Sequence, residues 1–259
     1  MGLHKPNPGN VIDAATGHLE ETEIGLDKGY NNNTDYQGTG GAIARFHTPG
    51  GHPIDTSQPA FPVFHRKFAN PAPLGLLAFA ATTFVLSMYN VQARHITHSN
   101  VILGMALGYG GLVQLIAGVE GWASGNTFGA TAFASYGGLF LSFGTLYIPQ
   151  FEVTASYTSE SELNAAISIY LCAWGIITLM FFISSLKSSI ALAMAFFFAD
   201  LMLWMLVAGY LAPSTKCIKA GGALGIFTSL IAGYTALASL LTNDTSYFQI
   251  PVGDLSRQN

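Results

Sequence analysis

The sequence predicts an all-α integral membrane protein with six transmembrane helices, and three observations carry that prediction. Of its 259 residues, 50% are hydrophobic and only 9% are charged, whereas a soluble domain carries about 25% charged residues. The charges are also unevenly placed. Residues 1–68 hold Lys5, Lys28, Arg45, Arg66 and Lys67, while the only bases in residues 69–242 are Arg94, Lys187, Lys216 and Lys219. Between those few charges lie six apolar segments, each close to the length of about 20 residues that spans a bilayer. A soluble fold would need polar groups to cover so much apolar surface, and lipid removes that need.

Residues 1–68 are rich in Gly, Asn, Asp, Thr and Pro and lack apolar periodicity. They are expected to form a largely disordered, cytoplasmic tail. Met1 to Asn10 contain no apolar run, so insertion is expected to rely on the first helix. That first segment, Leu74–Val91, opens after Asn70-Pro71-Ala72-Pro73, where a capping residue precedes prolines that suit an opening turn. The second, Val101–Val119, contains Gly104-x-x-x-Gly108. The third, Thr131–Ile148, follows the capping pair Asn126-Thr127 and closes at Pro149. Ala165–Ser184 is the fourth, and the fifth is Ile190–Leu211, with Pro213 beyond it. The sixth, Gly221–Leu241, contains Gly221-x-x-x-Gly225. Residues 69–242 thus form the membrane domain, and residues 243–259 form a short polar tail. Both glycine pairs allow close helix contact, expected within one protomer, with subunit contacts as the alternative. Trp122, Tyr147 and Tyr157 lie near segment ends, where aromatic residues anchor at the interface.

Several classes are excluded. The net charge of −4 offers no basic stripe for nucleic acid. Cys172 and Cys217 have neither metal-ligand nor disulfide-framework spacing, and His95-x-x-His98 in a short loop is expected to be solvated. No phosphate loop, nucleophile–base set or metal cluster is visible, so neither enzyme activity, cofactor nor metal is expected. Asn-Pro-Ala occurs once, whereas aquaporins need two copies, and no lysine lies inside a span to hold retinal. Six spans put both termini on one side of the membrane. Arg66, Lys67 and Lys187 favour the cytoplasm for that side and Glu152, Glu160 and Glu162 suit the outside, while Arg94, Lys216 and Lys219 count against it.

Polar groups at membrane depth are costly, which makes each one a functional candidate. Asp200 and Glu120 are the candidates for proton coupling. Gln114, Thr82 and Thr83 are candidates for substrate contact, with helix bridging as the plainer alternative. Asn70 and the Asn126-Thr127 pair would each sit at a helix N-terminus, whose free N–H groups and positive end favour a carboxylate. Simple capping is the alternative there.

Asn70-Pro-Ala-Pro-Leu-Gly-Leu, Thr82-Thr-Phe-Val-Leu-Ser-Met, Tyr109-Gly-Gly-Leu-Val-Gln-Leu-Ile-Ala-Gly, Gly125-Asn-Thr-Phe-Gly-Ala-Thr-Ala-Phe and Ser135-Tyr-Gly-Gly follow one another along the chain. In these blocks the sequence resembles the acetate uptake transporters, also called succinate–acetate permeases, and is similar to their fungal ammonia/acetate transporter-like members. The resemblance implies six helices per protomer, a homohexameric ring in the plasma membrane, and a separate substrate path in each protomer. It implies transport of acetate and similar monocarboxylates, in some members succinate, lactate or propionate, often linked to protons. It also implies an apolar constriction at Phe79, Tyr136 and Ala199, where relatives usually carry leucine in place of Ala199. Tyr109 joins the substrate-contact candidates on the same ground. Glu120-Gly-Trp122 departs from the Trp-Glu of fungal relatives. The competing functions are ammonium or ammonia export and acetate sensing without transport.

Overall fold

The computed structural model describes residues 69–242 and 246–256, so the tail expected over residues 1–68 lies outside the described residues. Six long helices follow in order: α1 (Ala72–Asn90), α2 (Ile102–Ala123), α3 (Thr127–Thr145), α4 (Glu160–Ser185), α5 (Ile190–Leu211) and α6 (Thr215–Leu240). Short 3₁₀ turns, Ala93–His95 and Pro149–Phe151, interrupt two of the loops. Five of the described helices, α1, α2, α4, α5 and α6, are long and apolar enough to cross a membrane. At 19 residues, α3 equals α1 in length but is less apolar, because Gly, Ser and Thr make up much of it.

Polar caps start several helices ahead of their apolar segments. The Ser159 hydroxyl accepts the Glu162 N–H, which begins α4 at Glu160 rather than Ala165. Ser214 does the same for Cys217 at the head of α6. Asn126 Oδ1 accepts the Gly129 N–H at 2.8 Å and starts α3 at Thr127 rather than Thr131. Each such bond satisfies an N–H that the first helical turn otherwise leaves unpaired.

Helix α6 packs along both α1 and α5, α5 also packs along α4, and α2 packs along α3. Within α2, Gly108–Val113 is π-helical and contacts both α1 and α3. The approach there is close enough to require glycine, since a methyl group at Gly110 would lie 2.6 Å from Thr82 Oγ1. The two glycine pairs diverge. Gly221 meets Leu206, and Gly225 meets Ser87 and Met202, within the protomer. Gly104 and Gly108 face open space, so packing inside one protomer does not account for that pair. Cys172 and Cys217 are unpaired and half-buried.

Candidate functional site

Helices α3 and α4 touch only lightly, and aromatic side chains fill the space that this leaves. Tyr136 is central to them. Its ring lies 5.2 Å from Phe79 on α1, 5.7 Å from Phe181 on α4 and 6.3 Å from Phe196 on α5, centroid to centroid. The first two pairs are tilted and the third is stacked, at distances where such rings attract. The Tyr136 hydroxyl and Thr178 Oγ1 share a hydrogen bond of 2.9 Å, and Thr178 is fully buried. Tyr136→Phe would leave Thr178 Oγ1 without its cross-helix partner. The expected cost is about 1 kcal/mol, read as a modest fall in Tm with the ring contacts intact.

Two cavities meet at this cluster. The smaller, about 30 Å³, is bounded in part by Leu76, Gln114, Phe133, Leu192, Phe196 and Ala232. By the same measure a water needs about 10–15 Å³, so it has room for very little. The larger, about 100 Å³, is bounded in part by Thr83, Asn90, Ser99, Tyr147, Tyr170 and Tyr210. Phe79, Tyr136 and Ala199 line both cavities. The structure therefore brings these three together, from α1, α3 and α5, as the waist between two chambers.

The residues lining each chamber also orient the helices. In α1, α3 and α5 the N-terminal half lines the small chamber and the C-terminal half the large one. Three positive helix ends thus lie beyond the small chamber. At two of them, Asn70 Oδ1 accepts the Ala72 N–H at 3.0 Å and Asn126 caps α3. Asn70, Asn126 and Thr127 are exposed and line neither chamber.

Buried polar groups flank the waist. Gln114 is fully buried and lines the small chamber, and neither its Nε2 nor its Oε1 has a hydrogen-bond partner. Thr83 Oγ1, at the large chamber, is likewise unpartnered, as is Thr82 Oγ1, which lines neither chamber and faces Gly110 on α2. Buried polar atoms are rarely left so, because each forfeits its hydration without replacement. A water or a polar solute in the path would supply what Gln114 and Thr83 lack.

The remaining candidates lie elsewhere. Tyr109 is half-buried in the π-helical stretch and lines neither chamber. Glu120 is exposed near the end of α2. Asp200 lines neither chamber, and its Oδ1 accepts the Trp204 Nε1–H at 3.1 Å, one helical turn along α5. Asp200→Asn keeps an oxygen for Trp204, so the pH profile of uptake is expected to match the wild type's. A changed profile, measured on vesicles of equal protein content, would make Asp200 a proton-coupling residue.

Sequence reasoning missed the tyrosines of the large chamber. Tyr147, expected as an interfacial anchor, also lines the large chamber and bonds Ser99 at 3.0 Å. Tyr170 bonds Ser142 at 2.7 Å and donates to the Leu139 carbonyl. Their one advance signal was a hydroxyl in or near an apolar segment, since a buried tyrosine needs a partner for it.

The model of the GPR1/FUN34/yaaH family matches residues 54–257. The chain is 48% identical over 183 residues to Accumulation of dyads protein 2 of Saccharomyces cerevisiae, covering 70% of this chain and 65% of that protein. Over 198 residues it is 44% identical to Acetate permease A of Emericella nidulans, covering 72% and 66%. It thus spans just under two-thirds of these relatives' lengths. The solved structure of the bacterial acetate channel SatP matches with a TM-score of 0.65 and 33% identity, over 72% of this chain and all of that one.

Proposed function

The chain belongs to the GPR1/FUN34/yaaH family, and on that premise we propose that it carries acetate and similar small monocarboxylates across the plasma membrane through the waist at Phe79, Tyr136 and Ala199. The observation that carries this is the pairing of an aromatic waist with unpartnered amide and hydroxyl groups on either side. Acetate has one methyl and one carboxylate. The methyl suits the rings, and Gln114 Nε2 can donate to the carboxylate.

A carboxyl of this kind titrates near pH 4, so acetate is an anion at neutral pH and crosses lipid poorly. The N-termini of α1 and α3, beyond the small chamber, attract it. Among the described residues, no Asp or Glu lines either chamber to repel it. Ammonium would call for carboxylates in the lining, since the ring faces alone can receive either a methyl group or a cation. The contacts offered are weak and repeated, which suits release as well as entry.

In this proposal α3 crosses the membrane as the sixth span, and both termini lie in the cytoplasm. The small chamber then opens inward and the tyrosine-lined chamber outward. The protomers form a hexameric ring, and the open face at Gly104 and Gly108 would admit a neighbouring helix closely.

The test is uptake of labelled acetate into vesicles holding the purified full-length protein, with and without an imposed pH gradient. Uptake above that of empty vesicles, reduced by propionate, is the expected result. Accumulation only with the gradient would mark proton coupling, and simple equilibration would mark a channel. Protein-filled vesicles that take up no acetate but release ammonia would overturn the proposal in favour of export.

A further inference from the structure

The C-terminal segment does not trail away from the helices. Residues 251–255 fold back onto the head of α5, where Ser189 and Asp254 pair as in an antiparallel ladder. The Ile190 N–H donates to the Gly253 carbonyl at 2.7 Å and the Ala191 N–H to the Val252 carbonyl at 3.0 Å, while the Leu255 N–H donates to the Ser188 carbonyl at 3.1 Å. A second anchor reaches α6, where the Tyr234 hydroxyl donates to the Pro251 carbonyl at 2.6 Å.

Both anchored helices are walls of the small chamber. Leu192 lies two residues beyond the strapped Ile190, and Ala232 lies two residues before Tyr234. The large chamber has no comparable strap among the described residues. The strapped end is also the tight end, about 30 Å³ against about 100 Å³.

We infer that the C-terminal segment is a latch that ties α5 to α6 and holds the small-chamber end of the path closed. Its release would let the first turns of α5 move from α6 and widen that end. The latch is held chiefly by a few backbone hydrogen bonds among half-buried and exposed residues, which can exchange for water. It therefore opens locally, without unfolding the bundle.

Gly253 makes this testable at one position. Its φ is +68°, a conformation that side chains disfavour, and a Cβ there would lie 2.8 Å from Ile190 Cδ1. Gly253→Val should therefore undock the segment, and Tyr234→Phe should loosen it by removing one bond. The role of the latch in flux rests on the proposed carboxylate transport. Its mechanical part does not, so two readouts are needed.

With the full-length chain in vesicles, both variants should raise the initial rate of acetate uptake severalfold, Gly253→Val more than Tyr234→Phe. In a background with Cys172 and Cys217 changed to Ser, Leu192→Cys should react severalfold faster with a polar maleimide when Gly253→Val is added. Unchanged labelling overturns the latch. Faster labelling with unchanged or slower uptake in variants of wild-type Tm overturns its control of flux. If the wild type carries no acetate, the transport proposal fails by itself, and labelling still tests the latch.

Discussion

Gly137→Ala is expected to lower the Tm of the purified protein by about 2–12 °C and to abolish acetate uptake. Gly137 lies on α3 against α2, beside Tyr136. A Cβ there would sit 2.8 Å from the Leu115 nitrogen and 2.9 Å from the Gly111 oxygen. These are backbone atoms, which cannot rotate aside as the end of a long side chain can. The two helices would have to part, and overpacking of this kind costs about 1–3 kcal/mol. In a chain of this size, each kcal/mol corresponds to about 2–4 °C. Separation would also carry Tyr136 away from Phe79 and Thr178 and disturb the waist. The control is the next residue. Gly138 has nothing within 4 Å of the position its Cβ would take, so Gly138→Ala should leave Tm and uptake unchanged. Equal Tm values for the two variants would show that α2 and α3 do not pack as described.

Ala199→Phe is expected to reduce acetate uptake to the level of empty vesicles. Ala199 is buried and lines both chambers, so a phenyl ring there has only the waist or the adjoining space to occupy. It would meet Phe79 and Tyr136 where they already stand 5.2 Å apart, ring to ring. The protein should still be made, because the larger chamber of about 100 Å³ adjoins the site and can take part of the ring. Ala199→Leu should give an intermediate rate and select for acetate over propionate, because a narrower waist excludes the longer chain first. Wild-type acetate uptake by Ala199→Phe, at equal protein content, would place the path elsewhere.

The extent of each helix was largely legible in the residues. A backbone in lipid must satisfy its own hydrogen bonds, which forces long unbroken helices wherever the apolar run is long enough. Ile190–Leu211 matches the apolar segment at both ends. The starts of α3, α4 and α6 lay earlier than the apolar runs because Asn126, Ser159 and Ser214 cap them through polar turns. The family resemblance, not the residues read alone, named Phe79, Tyr136 and Ala199, which line both chambers.

Rotation about the helix axis was not legible. Ala199 and Asp200 are neighbours in sequence but point about 100° apart on a helix. Only the first lines the chambers, while the second bonds Trp204. In a soluble helix the polar face would reveal such a rotation. A helix that is apolar on the lipid side as well as inside carries no such contrast, and α5 is apolar nearly all round. The same blindness hid the place of Tyr147 in the large chamber and gave Gly104 and Gly221 the same expectation, although only Gly221 meets a neighbour.

The sequence by itself thus determined that the chain is a set of membrane helices, where they run and which family it belongs to. These follow from local chemistry: apolar length, capping residues and motif order. Only the tertiary structure decided which faces meet, that two chambers share one waist, and that residues 251–255 return to the head of α5. Each of those depends on contacts between residues far apart in the chain. Burial of apolar surface from water does not choose among helix faces in lipid, where close packing and a few hydrogen bonds must do so instead.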